Sequence, residues 1–239
     1  MEYTIRPAKK FKSVTVVIPT IGKKELSDAV HSVLVKDTIF DITLLIVKDG
    51  PDIEIKSFSH YTKNPNIITL PWNVGANGFY GHRIYAAASH LVNTDAVMFL
   101  DEDNFYDENH IETCMNLMNL GDYDFVHSYR NVVDGDGSFV CRDAFEAIGA
   151  EPLDLVDTSS YCFSTEFLIK TGYLWHHGWG ADRRYFQAVK DTAKYNCTRQ
   201  FSLNYRLDGN PGSPSKEFFM EGNVMNGYSA TGYLDRDII

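Results

Sequence analysis

Several things are scarce in this sequence, and each scarcity excludes a class of protein. No stretch approaches the roughly 18–20 uninterrupted apolar residues that a membrane helix needs. Cysteine is rare: Cys114, Cys141, Cys162 and Cys197 are widely spaced, and no CxxC pair occurs. That argues against a disulfide framework and a structural zinc, and it fits a reduced, cytoplasmic setting. Positive charge is in short supply. Lys+Arg 22 against Asp+Glu 32 leaves a net charge of -10. Duplex DNA or RNA is therefore disfavoured as a main partner, because phosphate neutralisation dominates that affinity. The N-terminal stretch Met1 to Lys12 is basic but has no apolar run before a cleavage site, so no secretory signal is expected. Repeats and low-complexity tracts are missing. So are the P-loop lysine pattern and the dinucleotide GxGxxG spacing.

What is present is an ordinary globular composition, 44% hydrophobic and 23% charged, over 239 residues. One continuous α/β domain is expected. Its first half alternates strand and helix patterns. Val14–Pro19, Ile42–Val47, Ile67–Leu70 and Ala96–Leu100 are short apolar runs that read as strands. Lys24–Val35 has helical spacing, and Gly78–Leu91 is expected to be a helix opened by a Gly-rich turn. Strands separated by helix-length crossovers imply a mainly parallel sheet flanked by helices. The second half reads differently. Phe125–Val133 and Ser138–Arg142 flank Asp134-Gly135-Asp136-Gly137, a hairpin signal. Tyr161–Ser164 and Cys197–Leu207 read as strands and Asp182–Tyr195 as a helix, while Leu207–Pro214 is a turn-rich loop.

Ligands of open α/β sheets bind beyond the carboxyl ends of the strands. Strand one ends in Pro19-Thr20-Ile21-Gly22, strand two in Asp49-Gly50, and strand four in Asp101-Glu102-Asp103. Asp49 is placed to accept from a base N–H or a ribose hydroxyl, or else simply belongs to an Asp-Gly turn. Asp101 and Asp103, two residues apart after a buried strand, suit one hard cation such as magnesium or manganese. The plain alternative is an acidic cap region for a helix around His110–Met118. Asn73-Val74-Gly75-Ala76-Asn77-Gly78 offers bare backbone to a diphosphate. Arg83 behind it is either a phosphate ligand or a surface arginine. Gly178-Trp179-Gly180-Ala181-Asp182 combines an apolar platform for a sugar face with an acid that is either a general base or a helix cap. His176 and His177 are polar loop residues by default.

VTVVIPTIGKKELSDAVHSVL, LLIVKDG, NVGANG, VMFLDED and GWGAD, in this order and each at a strand or helix boundary, resemble the GT-A glycosyltransferases of family 2 over roughly residues 13–190. The resemblance implies a Rossmann-like, mainly parallel central sheet with a smaller antiparallel acceptor-side part. Residues 1–239 would form one domain, with about 1–105 as the nucleotide-sugar half and about 106–239 as the acceptor half. It implies metal-dependent transfer of a sugar from a nucleotide-sugar donor with inversion. Pro19, Thr20 and Asp49 would contact the nucleoside, with Asn73, Gly75, Arg83 and Glu102 also on the donor side. Asp101 would meet ribose or metal, and Asp103 would hold the metal, Mn2+ or Mg2+. Asp182 would be the base, and Trp179, Gly180 and His177 would line the acceptor side. The sequence departs from the family at two places. Phe79 stands where an arginine is frequent six residues after Asn73, leaving Arg83 as the substitute. Asp182 stands without the second acid that often accompanies it, leaving Glu166 and Asp157 as alternative bases.

The implied partners are a nucleoside-diphosphate sugar, with UDP-sugars favoured, and a glycan or lipid-linked acceptor involved in polysaccharide or glycoconjugate assembly. A homo-oligomer is left open. Lys9, Lys10 and Lys12 leave room for peripheral contact with an anionic membrane. The rival readings are a non-catalytic nucleotide- or glycan-binding protein on the same scaffold, a sugar nucleotidyltransferase, and a phosphatase of the haloacid dehalogenase type. The last also sets paired aspartates after a buried strand.

Overall fold

Unbroken apolar and β-branched runs set the centre of the fold. The computed structural model describes residues 10–35, 38–144, 155–209 and 213–234; Lys9 and the middle of the loop after Leu207 lie outside the described residues. In chain order the elements begin with β1 (Ser13–Thr20), α1 (Leu26–Leu34), β2 (Asp41–Lys48), β3 (Asn66–Thr69), α2 (His82–Ala87), β4 (Ala96–Phe99), β5 (Phe105–Tyr106) and α3 (His110–Leu120). There follow β6 (Phe125–Val133), β7 (Phe139–Arg142), β8 (Tyr161–Ser164), α4 (Thr165–Thr171), α5 (Ala181–Val189), β9 (Tyr195–Arg206) and α6 (Lys216–Met225).

One nine-stranded sheet carries them, in the order β3-β2-β1-β4-β8-β6-β9-β5, with β7 paired to β6. The pairs β1–β2, β1–β4 and β2–β3 are parallel, as the crossover pattern predicts. Side chains alternate across a strand, so β1 feeds two cores. Val14, Val16 and Ile18 pack with α1 and α3 on one face. Val17 packs with Val97, Phe99, Tyr85, Trp175 and Tyr185 on the other. With both faces covered, a polar residue has little room until the strand ends.

The predicted hairpin forms. Asp134 and Ser138 close it, with the Asp134 N–H donating to the Ser138 carbonyl at 2.8 Å. Antiparallel pairing occurs in the second half, but β6 also makes a long parallel pairing with β9, from Phe125↔Tyr195 to Val133↔Arg206. Two predicted helices are shorter than expected. α2 begins only at His82, because Asn77 and Tyr80 take left-handed φ of 62° and 51° just before it. α5 stops at Val189, where the N–H groups of Thr192 and Ala193 turn back to its carbonyl, and Tyr195 opens β9 instead. Among the described residues no helix is long and apolar enough to cross a membrane.

Candidate active site

Strand direction decides which side chains meet. β8 runs against β4, β6 against β8, and β9 with β6. β6 and β9 therefore run in the same sense as β1 to β4, and their carboxyl ends share one edge of the sheet. The order reverses between β1 and β4, the switch point where α/β sheets bind ligands. A cleft of about 980 Å³ opens there. Pro19, Thr20, Asp49, Asn73, Gly75, Asp101, Glu102 and Asp103 line it, and so do Trp179, Gly180 and Asp182. The predicted donor-side and acceptor-side residues thus share one cavity. Arg83 and His177 are not among its lining residues.

On the donor side, Asp49 is buried and clamps the following loop. Its Oδ1 accepts from Val74 N–H at 2.6 Å and its Oδ2 from Gly75 N–H at 2.9 Å. Gly75 must be glycine, since a Cβ there would collide with the Tyr80 carbonyl and with Asp49 Oδ2. Arg83 supports this loop from behind. Its Nη1 donates to the Val74 carbonyl at 3.1 Å, and its guanidinium lies 3.4 Å from the centre of the Phe79 ring. The arginine expected near the ligand is therefore a buttress packed on the residue that stands at the family's arginine position.

The three adjacent acids have separate surroundings. Glu102 turns to the loop after β1, accepting from the Thr20 hydroxyl at 2.5 Å and from the N–H groups of Ile21 and Lys23, both at 3.0 Å. Asp101 accepts from the Tyr85 hydroxyl at 2.8 Å and the Ser159 hydroxyl at 3.3 Å. Burial, then repulsion from Asp103 and Asp157, pushes the Asp101 carboxyl up to about 7. Asp103 pairs with Lys23 Nζ at 2.6 Å. Among the described residues no group of three or more His, Cys, Asp or Glu forms a cage for a metal. Magnesium needs only one or two carboxylates when water and phosphate complete its shell. Burial is the main cause of the raised Asp101 carboxyl, and a cation would relieve the part that comes from repulsion by Asp103; two oxygen-bearing acids two residues apart, opening on the cleft, suit one such ion.

The opposite wall starts at Gly180, which takes a left-handed φ of 76° as the N-cap of α5. Asp182 is therefore not the cap, as the simpler reading had it, but lies in the first turn. Its Oδ1 accepts from Arg183 N–H at 2.7 Å. Burial, followed by the nearby Asp157 charge, holds its carboxyl above the ordinary carboxylate range. Trp179 stands 76% exposed beside it. His177 serves through its backbone, its carbonyl lying 3.0 Å from His82 Nδ1, which must be the donor. Asp157 lines the cleft, held by Arg130, whereas Glu166 lies on α4 paired with Lys170 at 3.3 Å.

Sequence patterns missed Lys23, His82, Arg130, Tyr205 and Arg206, all of which line the cleft. The ends of β6 and β9 bring in Arg130, Tyr205 and Arg206, and nothing local in the sequence marks that pairing. Lys23, within the loop quoted for the family resemblance, was the one within reach of motif reasoning.

This is the GT-A arrangement, a switch-point cleft with strand-end acids on one wall and a helix-borne carboxylate on the other. The chain belongs to the family described as glycosyl transferase family 2, whose model matches residues 15–190. Among solved structures, residues 1–349 of S. aureus TarS match with a TM-score of 0.60 at 14% identity, covering 90% of this chain and 64% of that one. The same fragment in complex with UDP matches with a TM-score of 0.60 at 13% identity, covering 90% and 64%. In complex with UDP-GlcNAc it matches with a TM-score of 0.56 at 13% identity, covering 90% and 65%. Likeness at this identity is one of fold, and the chain spans less than two thirds of that fragment. No curated protein sequence matches it significantly.

Proposed function

We propose that the protein transfers a sugar, with inversion, from a nucleoside-diphosphate donor to a hydroxyl of a glycan or other acceptor. The observation that carries this reading is that Asp182 and the strand-end acids Asp101 and Asp103 line the same cleft. A single displacement needs a leaving-group site and a base on opposite sides of the anomeric carbon. The acceptor oxygen forms its bond to that carbon as the bond to the diphosphate oxygen breaks. The electron pair leaves with the diphosphate, and the acceptor proton goes to Asp182. A carboxyl held above its ordinary range is a better proton acceptor near neutral pH. The clamped Asn73–Gly75 backbone and Thr20 hold the donor side, and the exposed face of Trp179 receives a sugar ring. Asp101 and Asp103 would hold Mn2+ or Mg2+, which when bound stabilises charge on the departing diphosphate.

A UDP-sugar is the first donor to try, since the TarS fragment of the same fold has been solved with UDP and with UDP-GlcNAc. We place the donor half at about residues 1–105 and the acceptor half at about 106–239 of one domain, working in the cytoplasm. Binding without transfer is the second reading, favoured by the lack of an acid beside Asp182. Release of nucleoside diphosphate separates the two. In the transferase, Asp182→Asn retains donor binding and lowers turnover by about 10²–10⁴-fold, the usual worth of a general base. Transfer surviving within a few-fold would exclude Asp182 and make Asp157, which lines the cleft, the next candidate. Asp103→Ala is expected to abolish the manganese dependence of nucleotide binding, and unchanged dependence would refute the metal role.

A further inference from the structure

The cations of the cleft are not equivalent. Arg130 is buried, with Nε 2.7 Å from Asp143 and Nη1 against Asp157. Arg206 is buried too, donating from Nε to the Asp103 carbonyl at 2.9 Å and from Nη2 to Asp28 at 2.7 Å. Both are built into the walls, whereas Arg183 and Arg184 stand exposed on the far wall, on α5. Among the cations on the side of the strand-end acids, Lys23 differs. Its ammonium sits 2.6 Å from Asp103 Oδ2, and the two side chains are 37% and 22% exposed. The root of the side chain is fixed, because Lys23 N–H donates to Glu102 Oε2 at 3.0 Å and the same carboxylate holds Thr20 and Ile21. A flexible four-carbon stem therefore carries the ammonium from an anchored base, at the end of β1 where the cleft begins.

We propose that Lys23 is an exchangeable counter-ion: it neutralises Asp103 in the free protein, yields that carboxylate to a divalent cation, and then pairs with the diphosphate of the bound nucleotide. The proposal rests on the nucleotide-sugar reading above. Three consecutive carboxylates repel one another, and Lys23 offsets that repulsion while no cation is bound. A divalent ion on Asp103 repels the ammonium. Phosphate oxygens laid along the ends of β1 and β4 then offer it charge-assisted hydrogen bonds. Lys23 thus makes cation binding without nucleotide weak and cation binding with nucleotide strong.

Mn2+ affinity of the full chain, read by the manganese electron-spin signal without nucleotide and then with UDP, tests this. Lys23→Met should bind Mn2+ alone roughly fivefold more tightly, the worth of a partly exposed ion pair. With Mn2+ present it should bind UDP roughly tenfold more weakly, through loss of charge-assisted bonds. Lys23→Arg, which keeps the charge, should behave like the unmodified protein in both. Unchanged Mn2+ and UDP affinities in Lys23→Met, beside a clear loss of Mn2+ in Asp103→Ala, would overturn the proposal and leave the metal site standing. Unchanged Mn2+ binding in Asp103→Ala would overturn the metal site itself, and the exchange with it.

Discussion

At the scale of single residues, the charge on Asp182 governs the proposed chemistry, and its neighbours set that charge. Burial disfavours the carboxylate, and Asp157 disfavours it further. A base works only when ionised. Activity is therefore lost as pH falls through the raised pKa of this group, about tenfold per pH unit below it. The acid limb of kcat/KM should lie above the range of an ordinary aspartate. Asp157→Asn removes the second cause, so that limb should move to lower pH. Asp157 also raises Asp101, so a limb that stays put in Asp157→Asn would mean that neither Asp182 nor Asp101 limits the reaction, and a shift lost in Asp101→Asn would assign it to Asp101. The sequence pointed to Asp182 because it follows a Gly-Trp-Gly turn at a helix start. It offered Asp157 only as an alternative base, beside Glu166; what separates the two is the 3-10 turn at Thr158–Ser160, where the Ser159 hydroxyl accepts from Asp101 N–H at 3.1 Å and brings Asp157 to the cleft.

At the scale of elements, two loops form the joint between the walls. The loop before α2 presents Gly78, and the loop before α5 presents Gly178; a Cβ on Gly178 would lie 2.7 Å from the Gly78 carbonyl. His82 bonds the His177 carbonyl across the same joint, and the Phe79 and His176 rings meet at 5.6 Å. Backbone cannot give way as a side-chain tip does, so Gly178→Ala should cost about 1–3 kcal/mol of stability. It should also raise the KM for donor and lower kcat together, because both loops shift. Steady-state kinetics beside a urea melt would check this, and a stability loss with unchanged kinetics would show the joint to be structural only. β1, β2 and β4 were legible from sequence because burial on both faces leaves a continuous apolar signature, as in VTVVIP, whereas the two-residue β5 is too short to leave one. The helices were less so. α4 follows β8 directly, and its N-cap Ser164, accepting from Phe167 N–H at 3.1 Å, is also the strand's last residue. With no turn between strand and helix, the local pattern has nothing to mark the change. Tyr195 fits a helical spacing but is taken by β9, where its ring stacks on Phe125 at 4.9 Å.

At the scale of the whole molecule, one aromatic cluster joins the acidic strand end to α5, the helix that carries Asp182. Trp175 is fully buried, stacked on Tyr185 of α5 at 4.6 Å and edge-on to Phe99 at 5.4 Å. Phe99 ends β4 two residues before Asp101, and Tyr85, stacked on Phe99 at 4.3 Å, gives its hydroxyl to Asp101. Trp175→Ala should therefore cost about 3–5 kcal/mol, as large aromatic deletions do. At about 2–4 °C per kcal/mol for a chain of this size, the melting temperature falls by roughly 6–20 °C. Ligand increments distinguish a plain core from a shared frame. UDP with Mn2+ at 100 times its Kd adds about 2.7 kcal/mol to a protein whose site is intact. If the cluster only fills space, the increment in Trp175→Ala equals that of the unmodified protein. If it holds Asp101 in place through Tyr85 and Phe99, affinity falls and the increment at the same ligand concentration shrinks. Because Asp101, through Tyr85 and Phe99, and α5, through Tyr185, lean on the same indole, the shrinking increment is the expected result.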